Sequence, residues 1–305
     1  MGILLSVLMA GLGFKASVHG QLESPAGRAP AAQDSSISRL SAPAKAAPEA
    51  GSAVSASSIY SSAALRNAQL QRELNWAFGG KSQRGWRLYA PLISGMIGAD
   101  DDAESPSFAM QLSRWQKAKG VEAHGVLDSY TWSQMISDLQ AHRIKDHSYP
   151  TADQLVTAPP SECFDPSRPE ELRKVERGTY AAYRRMIAAA AADPSLGLAT
   201  DGEGRLAAGE KYLKIISAFR SREYQDQLRK QSPNSGRAGL AVNSPHFTGR
   251  ALDIYVGGDP VSTKDDNRAI QTQTKAYRWL VKNASRFGFQ PYFYEPWHWE
   301  YVGKN

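Results

Sequence analysis

The chain has 305 residues and an apolar content of 42%, enough for two ordinary domains with a sizeable core. Its net charge of +6 is spread along the chain without a dense Lys/Arg block, which suits a place near an anionic polymer and equally suits a solubilised surface; no nucleic-acid-binding motif accompanies it. A single cysteine, Cys163, excludes intrachain disulfides, CxxC zinc sites and self-contained iron–sulfur clusters.

Met1 to Phe14 is almost wholly apolar and is followed by Lys15. That run is shorter than the ~20 residues a membrane span needs and suits the apolar core of a secretory signal. Residues 1–20 are therefore expected to be a signal sequence with cleavage near Val18-His19-Gly20, and the protein to be exported, with no stable membrane span. Residues 21–62 are rich in Ala, Ser, Pro and Gly and read as a disordered tether. Residues 63–142 read as a small all-α domain. Ala64, Leu65, Leu70 and Leu74 recur at near-helical spacing up to Gly79-Gly80; Phe108, Leu112 and Trp115 form a second stripe ended by Gly120; Trp132, Met135 and Ile136 form a third, capped by Asp128 or Ser129. Residues 143–166 are polar and contain proline, as a linker does.

Residues 167–305 mix helix and strand patterns. Ser167-Arg-Pro-Glu170 has the form of a capping box before a long Ala-rich helix that Asp193-Pro194 closes. Tyr212 to Phe219 is short, apolar and β-branched. Ala251 to Val256 alternates, with Leu252, Ile254 and Val256 on one face and Asp253 on the other. Arg268 to Phe287 predicts one amphipathic helix, and Phe289 to Val302 is aromatic and strand-like. The absence of a βαβ rhythm predicts an α+β fold, an antiparallel sheet flanked by helices.

Two histidines lie in unusual settings: His246 in Ser244-Pro-His-Phe-Thr-Gly249-Arg-Ala-Leu-Asp253, and His298 in Glu295-Pro-Trp-His-Trp-Glu-Tyr301. A catalytic zinc takes three protein ligands and leaves one position open. His246, Asp253 and His298 supply such a set for one zinc ion, with Gly249 turning the backbone between the first two. Glu295 is the expected general base, with Glu300 as its rival.

Ser244 to Asp253 matches the S-x-H-x-x-G-x-A-x-D signature of the D-alanyl-D-alanine carboxypeptidase family of zinc peptidases, which includes vancomycin-resistance carboxypeptidases and related L,D- and phage endopeptidases. Glu295 to His298 resembles the family's E-x-W-H signature, and Ser217-Ala-Phe-Arg220-Ser221 with Gln225 is similar to its S-x-Y/F-R-S segment. The resemblance implies a zinc peptidase acting on peptidoglycan stem peptides. It implies His246, Asp253 and His298 as metal ligands, Glu295 as acid/base, and Arg220 as a cation for the oxyanion or a substrate carboxylate. Ser221, Gln225 and Ser244 are implied as substrate contacts or supports. Pro245 and residues 231–243 depart from relatives, which bears on substrate preference.

Phe108 to Val121, with His124-Gly125 and Thr131-Trp132, resembles the second half of a peptidoglycan-binding domain, although its first half matches poorly. The alternative for this region is a helical spacer packed on the enzyme. For the whole chain, the alternatives to a carboxypeptidase are a peptidoglycan endopeptidase and a non-catalytic wall-binding protein. Oligomeric state is not encoded in any motif.

Overall fold

The computed structural model describes residues 56–99, 102–231 and 243–303. The expected signal sequence, the tether as far as residue 55, and residues 232–242 lie outside the described residues. Helix α1 (Ala56–Glu73) begins inside the stretch read as tether. Ala63, Ala64, Leu70 and Leu74 are buried, which explains why this Ala-rich segment is helical. The Gly79-Gly80 pair does more than end that element. It is the turn of a β-hairpin, β1 (Asn75–Phe78) against β2 (Lys81–Arg84), and both glycines have the positive φ that a two-residue hairpin turn requires.

Helix α2 (Ala90–Ile97) escapes periodicity because Ala90, Pro91, Leu92, Ile93 and Ser94 are all buried, so no polar face marks it. Helix α3 (Pro106–Ala118) starts at Ser105, whose hydroxyl accepts from the Phe108 amide. Helix α4 (Ser129–Ala141) starts at Asp128, whose carboxylate accepts from the Thr131 amide at 2.8 Å. These elements close on an aromatic core in which Trp132 meets Trp76 edge-on at 5.4 Å and Tyr89 at 5.2 Å.

The motif residues of this helical region are structural. Gln116 is fully buried and binds the Val126 carbonyl, the Thr131 hydroxyl and the Gly125 amide. Asn67 clasps the same loop through the Gly125 carbonyl and the Leu127 amide.

Residues 143–176 form an arm that joins the second region. Strand β3 (Leu155–Thr157) pairs with β4 (Lys174–Glu176), and Cys163 between them bridges to Ile215. The Ala-rich helix α5 (Arg177–Ala191) does not start at the Ser167 capping box. The Ser167 hydroxyl instead bonds Asp165, residues 170–173 form one 3-10 turn, and the Glu176 carboxylate caps α5 through the Gly178 and Thr179 amides.

Four antiparallel strands make the main sheet in the order β5 (Ile215–Ser217), β6 (Ala251–Ile254), β8 (His298–Tyr301), β7 (Phe289–Pro291). Leu252, Ile254, Trp299 and Tyr301 enter a core with Tyr183 and Met186 of α5. Helix α6 (Arg222–Gln231) follows β5.

The predicted helix over 268–287 is interrupted. Helices α7 (Asp265–Gln273) and α8 (Lys275–Asn283) meet at extended Thr274, whose hydroxyl bonds the Val256 carbonyl and accepts from the Tyr277 amide. Tyr277 and Leu280 of α8 complete the sheet's core. The described residues are thus α+β, a small antiparallel sheet flanked by helices and preceded by a helical region.

The two regions share a core. Between β7 and β8, Tyr292, Phe293 and Tyr294 leave the sheet and bury themselves in the aromatic core of the helical region. Phe293 lies 4.6 Å from Phe78 and 5.6 Å from Tyr89. Buried Arg268 fastens the junction, donating to the Tyr89 hydroxyl and the Tyr294 carbonyl while its guanidinium lies 4.4 Å from the Tyr294 ring.

Candidate metal centre

The pairing of β6 with β8 sets Asp253 directly opposite His298, on the face away from Leu252 and Trp299. His246 reaches the same point from the 3-10 turn Pro245–Thr248, which leads into β6. Gly249 ends that turn at φ 67°; a Cβ there would fall 2.9 Å from the Glu176 amide nitrogen, so the turn can lie against β4 only with glycine. The Arg220 amide, just past β5, bonds the His246 carbonyl and ties the turn to the sheet.

His246 Nε2, His298 Nδ1 and Asp253 Oδ1 stand 3.2, 3.3 and 3.1 Å apart pairwise. Donors at zinc-ligand distance from one tetrahedral ion are separated by about 3.3 Å. The remaining ring nitrogens fix the tautomers. His246 Nδ1 lies 2.7 Å from the Ala218 carbonyl, which only accepts, so this nitrogen carries the proton and Nε2 presents a lone pair. His298 Nε2 lies 3.1 Å from Glu300 Oε1, also an acceptor, so Nδ1 presents the lone pair. Two lone pairs and a carboxylate oxygen converge in a buried space, an arrangement suited to a cation. Among the described residues these three form a cluster that could hold a metal ion.

The electrostatics agree. Burial, reinforced by the Arg220 charge, lowers His246 to about 4, so it is neutral at pH 7. Burial also opposes charge on His298, but hydrogen bonds to Asp253 and Glu300 outweigh it and raise this imidazole to about 9. Without a metal, a proton serves as the cation between the carboxylates. Burial opposes charge on Asp253, but the Arg220 guanidinium and the hydrogen bond from His298 outweigh it and hold this carboxylate well below the usual range.

Glu295 and Glu300 part company here. Burial pushes Glu295 up to about 7, and its carboxylate makes no hydrogen bond among the described residues. Glu300 is also buried, yet hydrogen bonds from His298 and Arg143 bring it down to about 2. Both Glu300 oxygens are committed: Oε1 to His298 and the Arg143 guanidinium, Oε2 to the Ile144 amide at 2.8 Å. Glu300, the rival base, is thus an orienting group for His298. Glu295, brought round by the turn in which the His298 amide bonds its carbonyl, is the carboxylate poised near neutrality.

Arg220 lies beside the cluster and donates to Asp253 Oδ2 at 2.6 Å and to the Ser217 hydroxyl at 3.0 Å, with Gln225 Oε1 at 3.5 Å. The Ser221 hydroxyl accepts from the Tyr224 amide in the first turn of α6. The Ser244 hydroxyl caps the turn that carries His246. Gln225 is buried behind Arg220. Cys163 is buried where it bridges to β5, and burial raises its thiol. Sequence reasoning missed Arg143 and the Ala218 carbonyl: no motif marks a lone arginine in a linker, and a backbone acceptor has no residue type to read.

Residues 173–304 match the family model VanY, D-alanyl-D-alanine carboxypeptidase. No curated protein matches the chain. That segment is a domain of the VanY family, and the family's peptidases act on peptidoglycan. Among the described residues, no helix is long and apolar enough to cross a membrane.

Proposed function

We propose that the VanY domain is a zinc-dependent D-alanyl-D-alanine carboxypeptidase, of D,D or L,D type, that trims peptidoglycan stem peptides outside the cytoplasm. His246, Asp253 and His298 would hold one zinc ion. The observation that carries this reading is the convergence of two tautomerically fixed imidazoles and a carboxylate at tetrahedral spacing. Zinc held there would supply a Lewis acid toward the scissile carbonyl and the attacking water.

The protein's own groups do the rest. The Glu295 carboxylate takes the proton from the attacking water and returns it to the leaving amine nitrogen, the role of a carboxylate buried beside the ligands and committed to no other group among the described residues. Arg220 fixes Asp253 through Oδ2 and adds positive charge beside the reacting carbonyl. The helical region, residues 63–142, is proposed as a wall-directed module, which raises the local concentration of the enzyme at its polymer.

A second reading, an endopeptidase, draws on one observation: the Arg220 guanidinium already donates to Asp253 and Ser217, with Gln225 at 3.5 Å, so a terminal carboxylate would have to share it with them. Metal analysis of the purified protein, together with digestion of muropeptides bearing free or amidated C-termini, separates the readings. Loss of terminal D-alanine from free ends alone supports the carboxypeptidase, and cleavage of both substrates supports the endopeptidase. Zinc-loaded protein that cleaves neither would refute the enzyme.

A further inference from the structure

We infer that Arg143, the first residue of the arm that leaves the helical region, is a positioning residue of the metal centre. It sits just past α4, outside the segment that matches the VanY model. Its Nε donates to Glu300 Oε1 at 2.8 Å, and its Nη2 makes a further bond to the same oxygen. The next residue's amide, Ile144, takes the other Glu300 oxygen. Glu300 in turn holds His298 Nε2. The guanidinium lies 4.0 Å from the centre of the Tyr292 ring, which packs edge-on against the His298 ring at 5.8 Å. Arg143 therefore acts on His298 along two routes: through the carboxylate that fixes its tautomer, and through the ring that sets its tilt. Nη1 anchors the guanidinium to Gln140 on α4 at 3.2 Å.

A carboxylate as buried as Glu300 needs a countercharge and full hydrogen bonding to keep one orientation. Arg143 is the cation that bonds it, and only a guanidinium offers the fork that stacks on Tyr292 while donating twice. The arm that leaves the helical region thus completes the site, whatever that region does at the wall.

The inference rests on the proposed metal centre and is tested by metal affinity. Zn2+ binding is measured by competition with a chromophoric chelator, and the ligand field by the visible spectrum of the Co2+-loaded protein. Arg143→Met keeps the apolar stem over Tyr292 and removes the charge. It is expected to weaken Zn2+ binding about 10- to 100-fold and to alter the Co2+ bands, and Arg143→Lys is expected to recover part of the affinity. Leu139→Ala, which thins the same helix's core without touching Glu300, is expected to lower the melting temperature while leaving Zn2+ affinity within about twofold. If Arg143→Met binds Zn2+ as the wild type does, the inference fails while the metal centre stands. If Leu139→Ala loses Zn2+ as strongly as Arg143→Met, the effect is general destabilisation and the inference fails. Should Arg143→Met not fold, Arg143→Lys decides, since wild-type affinity and spectrum there overturn the inference. Wild-type protein that binds no Zn2+ overturns both the centre and the inference.

Discussion

The two histidines of the centre are held by different regions of the molecule. His246 is oriented by a backbone carbonyl, Ala218, 28 positions earlier in the same domain. His298 is oriented by a relay of side chains, Glu300 and then Arg143, that ends 157 positions from Glu300 at the start of the arm, just past α4 of the helical region. A backbone acceptor survives any substitution that spares the fold, whereas a side-chain relay can be cut at each link. The His246 limb is therefore robust and local, and the His298 limb is adjustable and depends on how the two regions pack.

Asp253 stands where the limbs meet, and its loss is expected to do the most damage. Asp253→Ala removes a ligand and leaves the Arg220 guanidinium, only slightly exposed, facing two imidazoles without its partner. Zn2+ affinity should fall by more than the roughly 100-fold seen for outer-shell partners, with hydrolysis lost. Chelator competition and muropeptide digestion report both, and retained zinc would break the assignment.

Glu295 distinguishes chemistry from support. Glu295→Gln should retain Zn2+ and the fold while hydrolysis falls about 10²- to 10⁴-fold. Its effect on stability has the opposite sign. Burial raises this carboxyl from 4.5 to about 7 in the metal-free protein, so the folded state holds a proton that the unfolded state has released. The resulting stability is fully present below about pH 4.5 and is lost as pH rises through 7. Glu295→Gln escapes that loss, and the metal-free variant should exceed wild type by about 3 kcal/mol at pH 8, at 1.36 kcal/mol per unit, with little difference at pH 4.5. Denaturant titrations at the two pH values measure this. A variant less stable than wild type at pH 8 would contradict the buried, unbonded carboxylate.

Phe293→Ala probes the shared core on which the His298 limb depends. The ring is buried among Trp76, Phe78, Tyr89 and Trp132, two residues from Glu295. Truncation should cost about 3–5 kcal/mol and lower hydrolysis in the fraction that remains folded. Full activity per folded molecule, with the stability loss confirmed by thermal melts, would show that the loop holds Glu295 without the helical region.

Legibility in the sequence divides along the same line. The ligands were legible because each needs a particular residue type at a particular spacing: His246 and Asp253 around Gly249, and Glu295 with His298 around Pro296. Strand alternation also placed Asp253 away from Leu252 and Ile254. Elements whose polar pattern is erased by burial on all sides were not legible, among them α2. Nor was the break at Thr274, where a tertiary bond to the Val256 carbonyl overrides an unbroken amphipathic pattern. The Ser167 box was a sound local signal that lost to Glu176, whose carboxylate offers two acceptors to the first turn of α5. Arg143 was invisible because its role is set by how two regions pack.

The smallest expected effects compare two helix-cap residues, one in each region. Asp128→Ala removes the cap of α4, and Ser244→Ala removes the cap of the turn that bears His246. Each should cost about 1 kcal/mol of stability. Their effects on the metal should differ in size although their energies match. The Ser244 hydroxyl bonds the His246 amide itself, yet the Ala218 carbonyl still fixes that ring, so Zn2+ affinity should move by only a few-fold. Asp128 lies at the far end of α4 from Arg143, so its loss should leave affinity unchanged. Equal stability losses with a shift in Zn2+ affinity for Ser244→Ala alone would confirm that the backbone anchor makes the His246 limb the sturdier one. A large loss of zinc in Ser244→Ala would place the control of His246 in its turn rather than in Ala218.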